Sequence, residues 1–371
     1  MKLILFIFLP LSITVLPYTT HYYFHSDIVQ LEDEGQMAVE YCKIGDIPRA
    51  DGYYNRFKET PKIYTRKLDG FYKINSFALL PDIKMWEDHK VVFINYSPHH
   101  LQNSLFIYKY LEMFRNAGYT NLVFKSYSSE SIQLGSYSMP VIQPDSINVP
   151  PLFINALERA LTLGYRIHHY WEGDRKEDKW AEEMICDVYY ESGFKKTLVL
   201  VEDLNISEIP GRKNYSPLAW RFNQYAGINP FTISQTEDFN LYDKSKWEDF
   251  KAFYFMAGRN KTNYYFPATR DRSADVMLFS GFNNQRNSLE VLHDLRKHML
   301  RSADQAPTLV KAYRKDSPFR RFLKTDVPYD VLVVNDWNKD AYLWLEKGFQ
   351  YDIVYLDDQY KEYRTYSIPV K

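Results

Sequence analysis

The stretch from Lys90 to Lys125 limits what this chain can fold into more than any other. It opens on Val91-Val92-Phe93-Ile94, a short apolar run of β-branched and aromatic residues that reads as a buried strand. Asn95-Tyr96-Ser97-Pro98-His99-His100 follows as a loop, where Pro98 has no N–H to continue a ladder. Next comes a helix pattern that puts Leu101, Leu105, Tyr108, Leu111 and Phe114 on one face and stops at Gly118. Leu122-Val123-Phe124 then begins a second strand. Strand, polar loop, helix, glycine stop and strand make a parallel α/β unit, and such sheets place their chemistry in the loops at the carboxyl ends of the strands. A site is therefore expected at the loop that holds His99 and His100.

The same alternation runs on. Pro150-Pro151 leads into a helix with Phe153, Ala156, Leu157, Ala160 and Leu161 inward, Pro151 in its first turn and Gly164 as its cap. A strand over Tyr165 to Tyr170 meets the charged loop Trp171 to Lys179, and a helix through Trp180, Met184 and Val188 stops at Gly193. The strand Thr197 to Val201 runs into Glu202-Asp203-Leu204-Asn205. Ser216-Pro217 reads as an N-cap with proline at the first helical position. That helix stops at Gly227, before a short strand at Phe231-Thr232-Ile233. Further on, Val276 to Phe279 and Val331 to Val334 read as strands, and Ser288 to Arg301 and Lys339 to Lys347 as helices. Gly348 then stops the second helix before Ile353-Val354-Tyr355. The expected fold class is α/β: a largely parallel sheet of strand-loop-helix units flanked by helices. No linker or low-complexity run divides residues 85–371, so they are expected to form one α/β domain. His21 to Lys84 shows only loose helical spacing, and residues 21–84 are expected to be a helical N-terminal extension.

Lys and Arg number 46 against 47 Asp and Glu, for a net charge of −1, so no field draws the chain to nucleic acid. Aromatics reach 17%, with 32 tyrosines and 24 phenylalanines. Partly buried amphipathic packing is the larger reading of that excess, and a stacking surface for carbohydrate the smaller one. Cys42 and Cys186 read as two buried thiols rather than a disulfide. No zinc-type spacing is present, so neither metal nor cofactor is expected. After Lys2, the apolar run to Leu16 is too short to cross a bilayer comfortably and suits a secretory signal. Val15 to Thr20 offers no small-x-small cleavage triplet. Residues 1–20 thus read as a signal peptide or an N-terminal anchor. The chain is then exported to the periplasm or cell envelope, cleaved or tethered to the membrane through residues 3–17. An apolar N-terminal strand of a cytosolic protein fits the near-continuous run less well.

Several segments between Lys90 and Thr236 keep the order of motifs found in one family. Ile94-Asn95-Tyr96-Ser97-Pro98-His99 stands where that family has Ile-Asn-Glu-Ala-His-His. Gly118-Tyr119-Thr120-Asn121-Leu122-Val123-Phe124-Lys125 matches its Gly-Tyr/Phe-x-x-Leu-Ala-x-Glu. Leu157 to Tyr165 matches its Arg-Glu-Ala-Leu-x-Leu-Gly-Tyr helix. Gly227-Ile228-Asn229-Pro230-Phe231-Thr232-Ile233-Ser234-Gln235-Thr236 matches Gly-x-Asp-Pro-Leu-Thr-Ile-Asp-Gln-Thr, the most specific of the matches. The segment resembles the erythromycin-esterase-like proteins, a branch of the clan that includes the TraB, TIKI and ChaN proteins.

The resemblance implies an α/β fold in which a histidine activates water and carboxylates orient and tune it. This chain departs at those positions. Tyr96 stands for the first Glu, Pro98 for the His, Lys125 for the second Glu, Trp171 for the third and Asn205 for the later His. Tyrosine, lysine and tryptophan cannot replace acceptor carboxylates, and proline carries no base. The expectation is a non-catalytic protein whose old cleft binds a small molecule or protein through Asn95, Tyr96, His99, Lys125, Trp171 and Asn205. The alternative is a divergent hydrolase or metal-dependent enzyme that has rebuilt its site from His99, His169 and Glu177, with Glu172 nearby. Within His99-His100 and His168-His169, only one member of each pair could serve if the pair lies in a strand, because neighbours point to opposite faces. Thr232 and Gln235, which keep the family's pattern, read as structural hydrogen-bonding residues.

Overall fold

The computed structural model of the chain describes residues 23–57, 72–73, 85–97, 100–125, 131–134, 137–140, 151–170, 180–209, 216–235, 253–257, 274–280, 290–298, 307–315, 317, 327–337 and 341–371. The expected signal segment, 1–20, lies outside them. Among the described residues no helix is long and apolar enough to cross a membrane.

Three helices open the described chain: α1 (His25–Ile28), α2 (Glu34–Lys43) and α3 (Ile47–Phe57). Asp33 caps α2, its carboxylate accepting from the Gln36 N–H, as short polar side chains do at a helix start. After β1 (Tyr72–Lys73) and α4 (Met85–Asp88) comes the unit that the sequence marks most strongly: β2 (Val91–Tyr96), α5 (Leu101–Asn116) and β3 (Asn121–Lys125). A hairpin, β4 (Ser131–Leu134) and β5 (Tyr137–Pro140), then precedes α6 (Pro151–Thr162), β6 (Arg166–Tyr170), α7 (Ala181–Glu191) and β7 (Thr197–Glu202). A 3-10 turn over Asp203–Ile206 leads to α8 (Leu218–Ala226), β8 (Phe231–Ser234), β9 (Phe253–Ala257) and β10 (Val276–Ser280).

These strands form one sheet in the order β1-β9-β10-β8-β2-β7-β3-β6. Every pair from β10 to β6 is parallel, and β9 runs antiparallel between β1 and β10. The fold is α/β, with a largely parallel sheet flanked by helices. The apolar runs are continuous rather than alternating because both faces of the sheet are covered. Val92, Ile94, Leu122, Phe124, Leu198 and Leu200 pack with α5 and α6. Val91, Phe93, Val123, Val199 and Val201 pack with α7 and α8. The chain moves from β2 through β3 to β6 in one direction, then back through β7 and β8. Right-handed crossovers accordingly put α5 and α6 on one face, and α7 and α8 on the other. Buried residues of α1 and α2, Ala50 of α3 and the α3–α2 connection join the α5/α6 core.

The second half departs from the expected alternation. Ser288 to Arg301 is not a helix: β11 (Glu290–Asp294) lies there, followed by a 3-10 turn over Leu295–His298. Lys339 to Lys347 is not a helix either. Its described part is β14 (Tyr342–Glu346), paired antiparallel with β11. Strands β12 (Thr308–Arg314), β13 (Asp330–Val334), β15 (Gln350–Leu356) and β16 (Glu362–Pro369) form a separate antiparallel sheet in the order β13-β12-β15-β16. Leu343 and Leu345 are buried while Tyr342, Trp344 and Glu346 are half-buried. This period of two is a strand's, and it outweighs the helix-forming residues nearby.

Gly348 therefore caps no helix. It turns β14 into β15 with φ at +86°, a conformation that a Cβ disfavours by about 1–2 kcal/mol. Gly348→Ala should lower stability by about that amount in urea titrations, and an unchanged midpoint would show that the turn tolerates another conformation. A further correction concerns α8. It starts at Leu218, one residue later than expected, and Ser216 is not its cap: the Asn205 Oδ1 accepts from the Leu218 N–H at 3.3 Å. Cys42 in α2 and Cys186 in α7 are both buried, and neither is in a disulfide.

Candidate functional site

Strands β2 and β7 are neighbours, yet the chain leaves β2 for α5 on one face and β7 for α8 on the other. Their border is the topological switch point of the sheet, and ligands of open α/β sheets bind outside the strand ends there. The carboxyl ends bring Tyr96 beside Glu202 and Lys125 beside Tyr170. Across this edge the Lys125 Nζ donates to the Glu202 Oε2 at 2.8 Å, with both side chains half-buried. Of the residues expected at the site, Asn95, Tyr96, Lys125 and Asn205 all belong to this end of the sheet. Pro98, His99, Trp171, Glu172 and Glu177 lie outside the described residues.

The placements differ in character. Tyr96 is 2% exposed and stacks on Phe153 of α6, with ring centroids 4.6 Å apart. At that position it serves as core. Asn95 is buried too, and accepts twice from Gln235: the Gln235 N–H donates to its Oδ1 at 2.5 Å, and the Gln235 Nε2 to its carbonyl at 2.7 Å. Asn103, in the first turn of α5, accepts from the Ser97 N–H through Oδ1 at 3.0 Å and donates from Nδ2 to the Gln235 carbonyl at 3.3 Å. The end of β2, the head of α5 and the end of β8 are thus fastened together by amide side chains. Asn205 caps α8, as described above. Lys125, paired with Glu202, keeps 15% of its side chain exposed at this edge.

The histidines are spread out. His100 precedes α5, is 8% exposed, and sets its ring edge-on to Tyr54 of α3 at 4.6 Å. His168 and His169 lie in β6, beside Val123 and Phe124, so they face opposite sides of the sheet. Burial, followed by the charges of Arg166 and His169, pushes the His168 imidazole down to about 4. Burial alone pushes His169 below its usual range. Both are neutral at neutral pH. Among the described residues no group of three His, Cys, Asp or Glu is arranged to hold a metal.

Sequence reasoning missed Glu202 as the partner of Lys125, although it directly ends the apolar run of β7. The sequence marks Thr232 as a structural hydrogen-bonding residue but does not identify its partners Glu208 and Asp275. The Thr232 N–H donates to the Asp275 Oδ2 at 3.0 Å, its Oγ1 accepts from the Asp275 N–H at 2.8 Å, and the same Oγ1 donates to Glu208. No local pattern marks Asp275, which stands just before β10. Comparison of the chain with protein-family models, curated proteins and solved structures found no match.

Proposed function

We propose that the chain is an exported, non-catalytic protein of the erythromycin-esterase-like kind, which holds a small molecule or a protein segment at the border of β2 and β7. The observation that carries this reading is the Lys125–Glu202 ion pair. Where the resemblance calls for an acceptor carboxylate, the chain places a cation and ties it to an acid on the next strand. Tyr96 supports the same reading, since its ring fills apolar space against Phe153 at the position of another such carboxylate. What remains at the edge can orient and discriminate a ligand by charge, and the Glu202 carboxylate there is tied to Lys125.

The test is an aryl-ester hydrolysis assay on the purified protein and on His99→Ala, with metal analysis of the same samples and a thermal-shift screen of small organic molecules. Hydrolysis at the rate of the blank is expected for both proteins. At least one compound should raise the Tm of the wild type and not that of Lys125→Met. The pair is mostly buried, its side chains 15% and 21% exposed. That variant should therefore lose more than the roughly 1 kcal/mol of a surface pair and less than the roughly 3–5 kcal/mol of a fully buried one. Each ligand shift is read against the variant's own ligand-free Tm. Turnover abolished by His99→Ala, or stoichiometric metal, would establish the rebuilt hydrolase instead.

A further inference from the structure

Phe194, between α7 and β7, is 60% exposed, and Tyr190 in the last turn of α7 is exposed as well. The two rings meet edge-on with centroids 5.3 Å apart, and both also touch the buried ring of Tyr189. A third exposed ring, Tyr225, belongs to the last turn of α8, the helix tied to α7 by the Arg221–Glu182 bond. Both helices run back against the direction of the parallel strands. The three rings therefore lie at the amino edge of the sheet, the end opposite the Lys125–Glu202 pair.

The backbone holds Phe194 there under strain. Its φ is +60°, a conformation in which a bulky side chain is an outlier. The Gly193 N–H donates to the Tyr190 carbonyl and the Phe194 N–H to the Tyr189 carbonyl, both at 2.9 Å, which closes the end of α7. That closure calls for an apolar contact with Tyr189, not for a ring left mostly in water. Among the described residues Tyr360 is the other non-glycine with positive φ. Its hydroxyl, bonded to the Phe24 N–H and to Asp27, ties it in place. Phe194 offers only its ring. A strained, exposed ring steadied by two others is a preorganised aromatic anchor for a protein contact.

The charges beside Phe194 select the partner. Glu191 ends α7 and Lys195 follows Phe194; both are exposed, and among the described residues neither forms an ion pair. A surface with one charge of each sign about an apolar centre fits a copy of itself, because a two-fold contact pairs residue i with j and j with i. Phe194 packed on the Phe194 of a second copy brings each Glu191 to the other copy's Lys195. We propose that Phe194, Tyr190 and Tyr225 form a surface that joins two copies of this chain about a two-fold axis, with Glu191 and Lys195 paired across it. Since this surface is at the amino edge, the crevices at the carboxyl edges stay open in the dimer. That consequence rests on the proposed function; the contact itself does not.

Sedimentation equilibrium of the purified full chain over a series of concentrations tests this. The wild type should pass from monomer to dimer with a Kd in the micromolar range, as suits a small patch. Phe194→Asp should weaken the dimer about tenfold or more, with an unchanged circular dichroism spectrum. Glu191→Lys sets like charges against each other and should weaken it too. Adding Lys195→Glu to that variant reverses both signs and should restore wild-type association. A wild type that stays monomeric overturns the proposal, including one that instead binds phosphatidylcholine vesicles or another protein through Phe194. A dimer that Phe194→Asp leaves intact, or a charge reversal that the double variant does not restore, overturns it as well. Should Phe194→Asp fail to fold, the two charge variants decide alone.

Discussion

Replacing Arg314 with methionine is expected to lower the stability of the protein by about 3–5 kcal/mol, the usual effect of removing one partner from a buried ion pair. The Arg314 Nη1 lies 3.4 Å from the Glu158 Oε1 and 3.2 Å from the Glu346 Oε2. The side chains of Arg314 and Glu158 are only 9% and 7% exposed, and that of Glu346 17%. Burial already raises the Glu346 carboxyl, and the charge of Arg314 is the first influence that pulls it back down. Without that cation, two acids face each other in a poorly solvated place. Urea unfolding of Arg314→Met checks the size of the effect. Adding Glu346→Gln to it should recover part of the loss, since the neutral amide removes the repulsion. A loss below about 1 kcal/mol would mean that water screens the cluster as it does a surface pair. Arg314 belongs to β12, Glu346 to β14 and Glu158 to α6, so the loss falls on the contact between the C-terminal strands and the α5/α6 layer. Asn155 of α6 supports the same contact by donating to the Tyr329 carbonyl at 2.9 Å.

The parts of this architecture that were legible in the sequence are those governed by local rules. Strands β2, β3, β7 and β8 are covered on both faces, so each is a short apolar run with no competing pattern. The helix stops Gly118, Gly164, Gly193 and Gly227 all have positive φ, the conformation in which glycine alone escapes the Cβ clash. Beyond Asp275 the same rules found β10, β13 and the middle of β15 but misled over β11 and β14. In Tyr342 to Glu346, two buried leucines at a spacing of two are too few to outweigh helix-forming neighbours and a following glycine. Strand β11 exposes Leu292 at 50%, which removes the apolar cue a strand would give. The cap of α8 was hidden for another reason: Asn205 lies 13 residues before the N–H that it accepts. At the site, topology was legible and pairing was not. The strand ends predict the edge of the sheet to which Lys125, Tyr96 and Asn205 belong. The partner of Lys125 is 77 residues away, and only the insertion of β7 between β2 and β3 brings Glu202 to it.

Asn103→Leu should be the most damaging substitution at that edge. Asn103 is 1% exposed, and leucine matches its size while removing both hydrogen bonds. The Ser97 N–H and the Gln235 carbonyl would each lose a partner in a buried place, at about 1–3 kcal/mol apiece, so a loss of about 2–6 kcal/mol is expected. Gln235→Leu keeps the backbone carbonyl that Asn103 reaches and removes the side-chain bond from its Nε2 to the Asn95 carbonyl in the same set of ties. If Asn95, Ser97, Asn103 and Gln235 act as one unit, the second substitution finds part of the damage already done. Chemical denaturation of the two single variants and the double variant should then give a sum of single losses that exceeds the double loss by about 1 kcal/mol or more. Additive losses would mean that the two side chains stabilise their segments independently. In that case the end of β2 and the end of β8 are held by the sheet alone, and the amide ties do not set the position of the loop between β2 and α5.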